Sequence, residues 1–185
     1  MKTSTQVVTG AVRLSYLNVF QPRAAQEGQD AKYSACILLP KSDKETLKAI
    51  KAACEAARLG SAKLFGKVPE KLKLPIHDGD GEMPNGGEYG PECKGMWVIN
   101  ASSKQQPGLV DRRCQPIVNS TELYSGVWAY VDVNFYAYNT NGNKGIACGL
   151  NNIQKVRDDE ALGGRARAQD VFKPIEDDDD EDLGL

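Results

Sequence analysis

The chain has 185 residues, of which 41% are hydrophobic, and a net charge of −2 at pH 7. This length suits one medium-sized domain with a real core, and no apolar run reaches the ~20 residues of a membrane helix. Five scattered cysteines without a C-x-x-C pair argue against a disulfide framework and a zinc site. The single histidine, His77, argues against catalytic triads and histidine metal pairs, and the polar N-terminus predicts a cytoplasmic protein.

The first third of the chain predicts two strands and a helix. Period-two alternation predicts a strand over residues 7–20, with one face formed by Val8, Val12, Leu14, Tyr16 and Phe20. A second strand is predicted over residues 32–39. The spacing of apolar residues then becomes helical and predicts the one main helix over residues 43–59, with Ser42 and Glu45 as a capping box.

The remainder of the chain predicts further strands around one long loop. Residues 67–95 are rich in proline and glycine and predict a loop insertion, after which a strand is predicted over residues 96–101. Residues 127–138 and 144–156 predict a hairpin, because an Asn-Gly turn lies between two alternating segments. About five strands, with one main helix after the second, predict a mainly β fold of the five-stranded OB-like barrel type.

One face of the predicted hairpin strand carries the clearest binding signal. Its odd positions, from Val127 to Ala137, are apolar and suit a barrel interior, so its even positions face outward. The outward set includes four aromatic residues, namely Trp128, Tyr130, Tyr136 and Tyr138. Bases of a single strand stack on such rings, at about 1–3 kcal/mol each. The alternative is that another layer of the protein or a partner subunit covers this face.

Cations are predicted to lie near these rings and to pair with phosphates. Lys104 follows the strand predicted at residues 96–101, and Arg112 and Arg113 follow a Pro-Gly turn. Lys32 and Lys144 lie on or next to strands and extend the set. A single surface cation is commonly idle, so the prediction depends on the coincidence of these five with the aromatic residues.

Enzyme signatures are weak. The pattern G-x-x-x-x-G-K-[ST] does not occur, which excludes a Walker-type nucleotide site. Asp78, Asp80 and Glu82 could hold Mg²⁺ as in a nuclease, but Tyr89 stands where a calcium loop requires its last glutamate. An acidic, glycine-rich turn explains the cluster more simply. We therefore expect a non-catalytic protein without a cofactor, with a metal-dependent nuclease and a protein-binding scaffold as the alternatives.

The chain ends in seven consecutive acidic residues followed by Leu-Gly-Leu. Such a run repels itself and buries nothing, which predicts a disordered tail over residues 173–185 after a domain over residues 1–172. Without those acids the chain has 23 basic and 18 acidic residues, a net charge of +5. A basic body with a polyanionic tail suggests a nucleic-acid binder whose tail competes with DNA and recruits partners; the alternative is a solubilising tail. The tail residues concerned are Asp177, Asp178, Asp179, Asp180, Glu181, Asp182, Leu183 and Leu185.

Several stretches resemble a family of phage-encoded single-stranded-DNA-binding proteins. They are YSACILLPK at residues 33–41, PIHDGD at 75–80, WVINASSK at 97–104, YSG at 124–126, VNFYAY at 133–138 and NKGIACGLNNIQKV at 143–156. The resemblance covers about residues 5–172. It implies an OB fold, sequence-tolerant binding of single-stranded DNA, and a role in phage replication or recombination in the host cytoplasm. The tail resembles those of bacterial single-strand binders, which recruit replication proteins, but it ends in Leu-Gly-Leu rather than Pro-Phe.

Overall fold

A computed structural model describes residues 4–24, 26–162 and 171–175 of the chain. The strands are β1 (Gln6–Val8), β2 (Val12–Arg23), β3 (Lys32–Pro40), β4 (Ile76–Asp78), β5 (Met96–Ser103), β6 (Gly108–Val110), β7 (Trp128–Thr140) and β8 (Asn143–Arg157). The helices are α1 (Lys44–Leu59) and α2 (Ala62–Phe65), with short 3-10 helices at Pro91–Cys93 and Ser120–Glu122. The prediction of a mainly β fold with one main helix is confirmed. Of the tail predicted over residues 173–185, the acidic part, residues 176–185, lies outside the described residues.

Five long strands close into a barrel. Hydrogen-bonded pairing runs β7-β2-β3-β5-β8, and β8 pairs back with β7. β5 and β8 are parallel, whereas the other neighbours in this ring are antiparallel. The three-residue strands β1, β4 and β6 pair with β7, β5 and β8, respectively, and extend the sheet. The expected five-stranded OB-like barrel is therefore present, with α1 following its second long strand.

The interior of the barrel follows the alternation of β7. The apolar residues Val127, Ala129, Val131, Val133 and Phe135 are all buried, whereas the even positions between them are partly or fully exposed. Full burial of one large apolar side chain contributes about 1.5–3 kcal/mol, so this strand is a major part of the core. One face of α1 joins the same core, through Ile50, Ala53, Cys54 and Ala57. Among the described residues, no helix is long and apolar enough to span a membrane.

The predicted first strand is wrong in two respects. It is two strands, and within β1 the buried residue is Val7, whereas Val8 is exposed. In β2 the pairing with β3 shifts by one residue between Ser15 and Asn18, which is a β-bulge. The extra residue changes which side chains face inward, so Tyr16 is exposed instead of buried. Residues before and after such a bulge cannot share one uninterrupted alternation.

The predicted capping box of Ser42 and Glu45 is also replaced by another arrangement. Asp43 is the N-cap, and its carboxylate accepts hydrogen bonds from the Thr46 N–H at 3.0 Å and the Thr46 hydroxyl at 2.7 Å. The Thr46 hydroxyl oxygen also accepts from the N–H of Gly10 at 3.0 Å. The cap therefore ties the start of α1 to the connection between β1 and β2.

The predicted loop insertion, residues 67–95, packs against the barrel. β4 lies within it and pairs with the first half of β5, and the N–H of Gly79 donates to the Met96 carbonyl at 2.9 Å. A Cβ at position 79 would lie 2.1 Å from the Cys93 carbonyl oxygen, so only glycine fits there. This close packing places the segment beside the outer face of β5.

Candidate nucleic-acid interface

A groove runs along the outer face of β3 and β5. Ser34 and Ser102, which pair across these strands, contribute short hydroxyl side chains to it. This first part of the groove has a volume of about 510 Å³. It is lined by Arg23, Gln29, Asp30, Lys32, Ser34, Ser102 and Lys104. Two of the predicted binding residues, Lys32 and Lys104, thus come together, because residues at the adjoining ends of paired strands are close in space.

A second cavity, of about 280 Å³, continues from Ser102 toward the β7–β8 hairpin. Its lining includes Lys73, His77, Asn100 and Tyr138. Because Ser102 lines both cavities, we treat them as one surface and call it the β3–β5 groove. This surface brings Tyr138, a predicted stacking residue, together with two of the predicted cations.

Positive charge dominates the β3–β5 groove. Four cations line it, namely Arg23, Lys32, Lys73 and Lys104. Among the described lining residues Asp30 is the one acid, and its carboxylate lies 4.0 Å from the Lys104 ammonium. Both side chains are largely exposed, and such a surface pair contributes little, so it restrains Lys104 only weakly. The charge balance suits a chain of phosphates.

Small residues on β8 make room for the tyrosine rings of β7. Tyr138 is paired with Gly145, and the ring atoms of Tyr138 lie where a side chain at position 145 would be. Tyr136, 44% exposed, is the neighbouring outward aromatic residue, and its Cε1 would lie 3.6 Å from a Cβ at Gly149. Tyr136 also contributes to a separate cavity beside α1 and α2, and burial raises the pKa of its hydroxyl. The alternative that another layer of the protein covers the aromatic face thus applies in part to Tyr136, which lies beside α1 and α2.

Trp128 and Tyr130 lie toward the opposite end of β7. Ten residues separate Trp128 from Tyr138, which corresponds to about 33 Å along a strand. The Trp128 indole N–H donates to an Asp159 carboxylate oxygen at 2.8 Å, and the Arg157 guanidinium lies 4.6 Å from the ring centre. Tyr130 is 42% exposed. Neither residue lines the β3–β5 groove.

Arg112 and Arg113 also lie away from the groove. They line a cavity of about 410 Å³ in which Lys155 and Arg157 are accompanied by acidic residues, namely Asp111, Glu122 and Asp158. Charge is therefore nearly balanced at this site, unlike in the β3–β5 groove. Lys144 lies at the tip of the hairpin, with its ammonium 5.6 Å from the ring centre of Phe65. The predicted interface is thus divided among separate parts of the surface.

Residues 158–162 form a strap that leads the chain from the end of β8 across the barrel. The Tyr124 hydroxyl donates to Asp158 at 2.7 Å, and Arg13 donates to the Glu160 carbonyl at 2.6 Å. The N–H of Leu162 donates to the Ser125 carbonyl at 2.8 Å. The side chain of Leu162 packs against the outer-face cluster of Cys36, Leu38, Cys93 and Val98. The strap therefore ends on the same sheet face, β3 and β5, that carries the groove.

Sequence reasoning missed several residues of the groove. Arg23 lies in the predicted connection after the first strand, Lys73 lies beside Lys71 in the predicted loop insertion, and His77 had no obvious partner. Backbone pairing brings them to one surface: β4 carries His77 beside β5, β2 carries Arg23 opposite Lys32, and Lys73 forms a bridge with Gly145 of β8. Burial lowers the pKa of His77, and the charge of Lys73 lowers it further. Because the first strand is predicted to end at residue 20, the sequence gives no signal that places Arg23 opposite Lys32.

Two of the three carboxylates considered for a nuclease, Asp78 and Asp80, are engaged by a lysine. Asp78 and Asp80 both accept hydrogen bonds from the Lys41 ammonium, at 2.6 and 2.7 Å. These bonds hold the pKa of both carboxyl groups below its ordinary value. Within the described part of the chain, no group of three or more potential ligand side chains is arranged to hold a metal ion. The arrangement favours a structural ion pair that fixes the loop beside β5.

Comparison with known proteins agrees with the fold. The sequence matches, over residues 5–183, the family described as Enterobacter phage Enc34, ssDNA-binding protein. A putative protein p50 from Acyrthosiphon pisum secondary endosymbiont phage 1 is 30% identical, over 93% of this chain and 95% of that protein.

Solved structures show the same similarity. The single-stranded DNA-binding protein from bacteriophage Enc34 in complex with ssDNA superposes with a TM-score of 0.76 at 26% identity, over 87% of this chain and 91% of that one. A gp2.5 single-stranded DNA-binding protein of bacteriophage T7 shares the fold, with a TM-score of 0.57 at 12% identity over 94% and 96% of the two chains. The family predicted from the sequence motifs is confirmed: the chain belongs to the Enterobacter phage Enc34 single-stranded-DNA-binding protein family.

Proposed function

We propose that this protein binds single-stranded DNA through the β3–β5 groove, with little preference for sequence and without catalysing a reaction. The observation that carries the proposal is the groove itself, in which four cations and the ring of Tyr138 line one continuous surface. Membership of a family that includes a protein solved in complex with ssDNA supports it.

The chemistry of the groove explains how a single strand would be held. Lys32, Lys104, Arg23 and Lys73 would neutralise phosphates and release counterions, which makes affinity fall as salt rises. Tyr138 in the groove, and Tyr136 two residues before it on the same face of β7, offer faces on which bases of any identity can stack. The short side chains of Ser34 and Ser102 leave room for a strand to approach the sheet. Affinity would then come mainly from charge and stacking, neither of which distinguishes one base sequence from another.

The acidic tail would compete with DNA and recruit other proteins. The strap ends at Leu162 on the face that carries the groove, about 14 residues before the acidic run begins at Glu176. Even fully extended, that connection spans no more than about 50 Å, so the acids are confined near the domain. Tethered acids at high local concentration imitate phosphates, and DNA would displace them. The released tail, with its leucines, would bind replication or recombination proteins in the host cytoplasm.

Fluorescence anisotropy with labelled oligonucleotides tests the proposal. We expect tighter binding to single strands than to duplex, similar affinities for oligonucleotides of different base composition, and weaker binding at higher salt. Equal affinity for duplex, a strong preference for one sequence, or affinity independent of salt would contradict it. The same DNA incubated with Mg²⁺ should remain intact, since cleavage would favour the nuclease alternative.

A further inference from the structure

Tyr16 adopts a backbone conformation that is unfavourable for its residue type. Its φ is +47°, in the left-handed region that bulky residues rarely occupy. Two hydrogen bonds flank it, one from the Asn18 amide to the Tyr16 carbonyl at 3.2 Å and one from the Leu17 N–H to the Ser125 hydroxyl at 3.3 Å. The β-bulge of β2 thus holds the backbone of Tyr16 in this conformation.

The ring of Tyr16 adds little to the core. Tyr16 is 75% exposed, compared with 44% for Tyr136 and 42% for Tyr130. Glycine would adopt the same backbone conformation without strain. A costly conformation that presents an exposed aromatic ring is typical of a functional site, and bulges often redirect a side chain beside one.

The bulge adjoins the β3–β5 groove. The same Asn18 amide that holds the Tyr16 carbonyl also donates to the Ser34 hydroxyl at 3.3 Å, and Ser34 lines the first part of the groove. On the other side, Ser125 accepts from Leu17 through its hydroxyl and from Leu162 through its carbonyl. Tyr16 therefore lies between the groove and the end of the strap.

We propose that Tyr16 is a base-stacking residue at the edge of the β3–β5 groove, presented by the β2 bulge to a nucleobase of the bound single strand. The proposal rests on the function proposed above. A nucleobase fits better than an apolar protein partner because the neighbouring groove is lined by Arg23, Lys32 and Lys104, which bind the phosphates attached to that base.

Three substitutions at one position test the proposal in the full-length protein. Tyr16→Phe retains a ring and should bind single strands like wild type. Tyr16→Ala and Tyr16→Gly remove the ring and should weaken affinity about fivefold or more, the lower end for loss of one stacked base. Tyr16→Gly should also raise the Tm by about 2–4 °C, because glycine relieves the left-handed strain. A variant that is more stable yet binds more weakly cannot owe its loss to misfolding.

Val118→Ala serves as the matched control, because Val118 is 91% exposed and lies outside the groove. This change should leave affinity unaltered. Single strands carrying the photoreactive base 5-iodouracil should also crosslink to Tyr16, as detected by mass spectrometry of the digested complex. Wild-type affinity in Tyr16→Ala and Tyr16→Gly would overturn the proposal, as would a loss in Tyr16→Phe equal to that in Tyr16→Ala.

A double substitution, Lys32→Ala with Lys104→Ala, separates failure of this inference from failure of the proposed function. If the double variant binds weakly while all three Tyr16 variants bind like wild type, DNA binds at the β3–β5 groove but does not stack on Tyr16. If the double variant binds like wild type, the groove is not the binding site, and the proposal for Tyr16 is overturned with it.

Discussion

Gly145 and Tyr138 face each other across the β7–β8 hairpin, and the Tyr138 ring fills the space that a side chain at position 145 would need. A Cβ at Gly145 would lie 2.8 Å from the Tyr138 hydroxyl oxygen, closer than real Cβ contacts, and 3.0 Å from its Cζ. Because Tyr138 also lines the β3–β5 groove, the absence of a side chain at position 145 determines where this aromatic ring can lie.

Gly145→Ala should therefore weaken single-stranded-DNA binding by displacing the Tyr138 ring. We expect a loss of about 1 kcal/mol, the lower end for one base stack, without unfolding of the domain. Gly149→Ala is the matched control, because a Cβ there would lie 3.4 Å or more from its neighbours and would be accommodated. Anisotropy titrations of both variants beside Tyr138→Ala provide the check. Wild-type affinity in Gly145→Ala would show that the ring position is unimportant.

Removing groove cations should have a larger effect than removing the predicted arginines outside the groove. Lys32→Ala with Lys104→Ala should reduce the slope of log affinity against log salt by about 1.4, since each phosphate contact with a single strand contributes about 0.7. Arg112→Ala with Arg113→Ala, of equal charge change, should alter the slope less because nearby acids already balance those arginines. A larger change in slope for the arginine pair than for the lysine pair would indicate that DNA binds at the cavity lined by Arg112 and Arg113.

Affinity should increase as pH falls, through His77. Burial and Lys73 lower the pKa of His77, so the free protein carries a neutral imidazole at pH 7. Phosphates in the groove would favour the imidazolium and raise that pKa, so binding takes up a proton. Affinity then increases as pH falls through the raised pKa of the complex and levels off below the pKa of the free protein, which lies under the ordinary value of about 6.5. A rise of one pKa unit corresponds to at most about tenfold in affinity. Titrations from pH 7.5 down to pH 5.5, about one unit on either side of the ordinary pKa, should show this gain in wild type but not in His77→Gln. Equal pH dependence in the two proteins would exclude His77.

Trp128→Phe should lower stability more than DNA affinity. The substitution removes the hydrogen bond to Asp159, a bond that also holds the pKa of that carboxyl group low and anchors the strap. A lost hydrogen bond of this kind costs about 1 kcal/mol, or about 2–4 °C in Tm for a domain of this size. Thermal melts and titrations of the same preparation compare the two effects. If a companion Trp128→Ala variant binds more weakly than Trp128→Phe, base stacking on Trp128 is supported instead, and Tyr130→Ala should then weaken binding as well.

Deletion of residues 176–185 should tighten DNA binding at low salt. The competition proposed for the tethered acids would lower the fraction of binding-competent protein. Screening over about 10 Å at 0.1 M salt should remove the difference as salt rises. A variant with the seven acids replaced by serine keeps the tail length and should match the deletion. Equal affinities for full-length and truncated protein at low salt would leave the tail as a solubilising segment.

Local sequence signals predicted the hairpin well. The Asn-Gly turn appears with Asn141 and Gly142 at φ values of 51° and 84°, the left-handed pair that this dipeptide favours in a two-residue hairpin. The alternation along β7 predicted which residues are buried, because the period of a strand is a property of its backbone. Helical spacing placed α1 within one residue of its observed start.

Local signals failed where a distant segment decided the outcome. Nothing in the pattern around Tyr16 indicates a bulge, since the register of β2 is set by its pairing with β3. The capping residue of α1 depended on Thr46, whose hydroxyl is also held by Gly10 in the preceding connection. The alternation predicted an outward ring at Trp128, but it could not predict the hydrogen bond to Asp159, because Asp159 is 31 residues away in the strap.

The sequence alone determined the fold class, the main helix, the hairpin and the family, because each depends on local periodicity or on contiguous motifs. It also predicts aromatic residues and cations as the binding chemistry. Tertiary structure decided which of them meet: closure of the barrel brings Lys32, Lys104 and Tyr138 to one groove and leaves Trp128 and Arg112 outside it. The physical reason is that strand pairing joins residues far apart in the chain, and their register is set by the packing of the whole sheet.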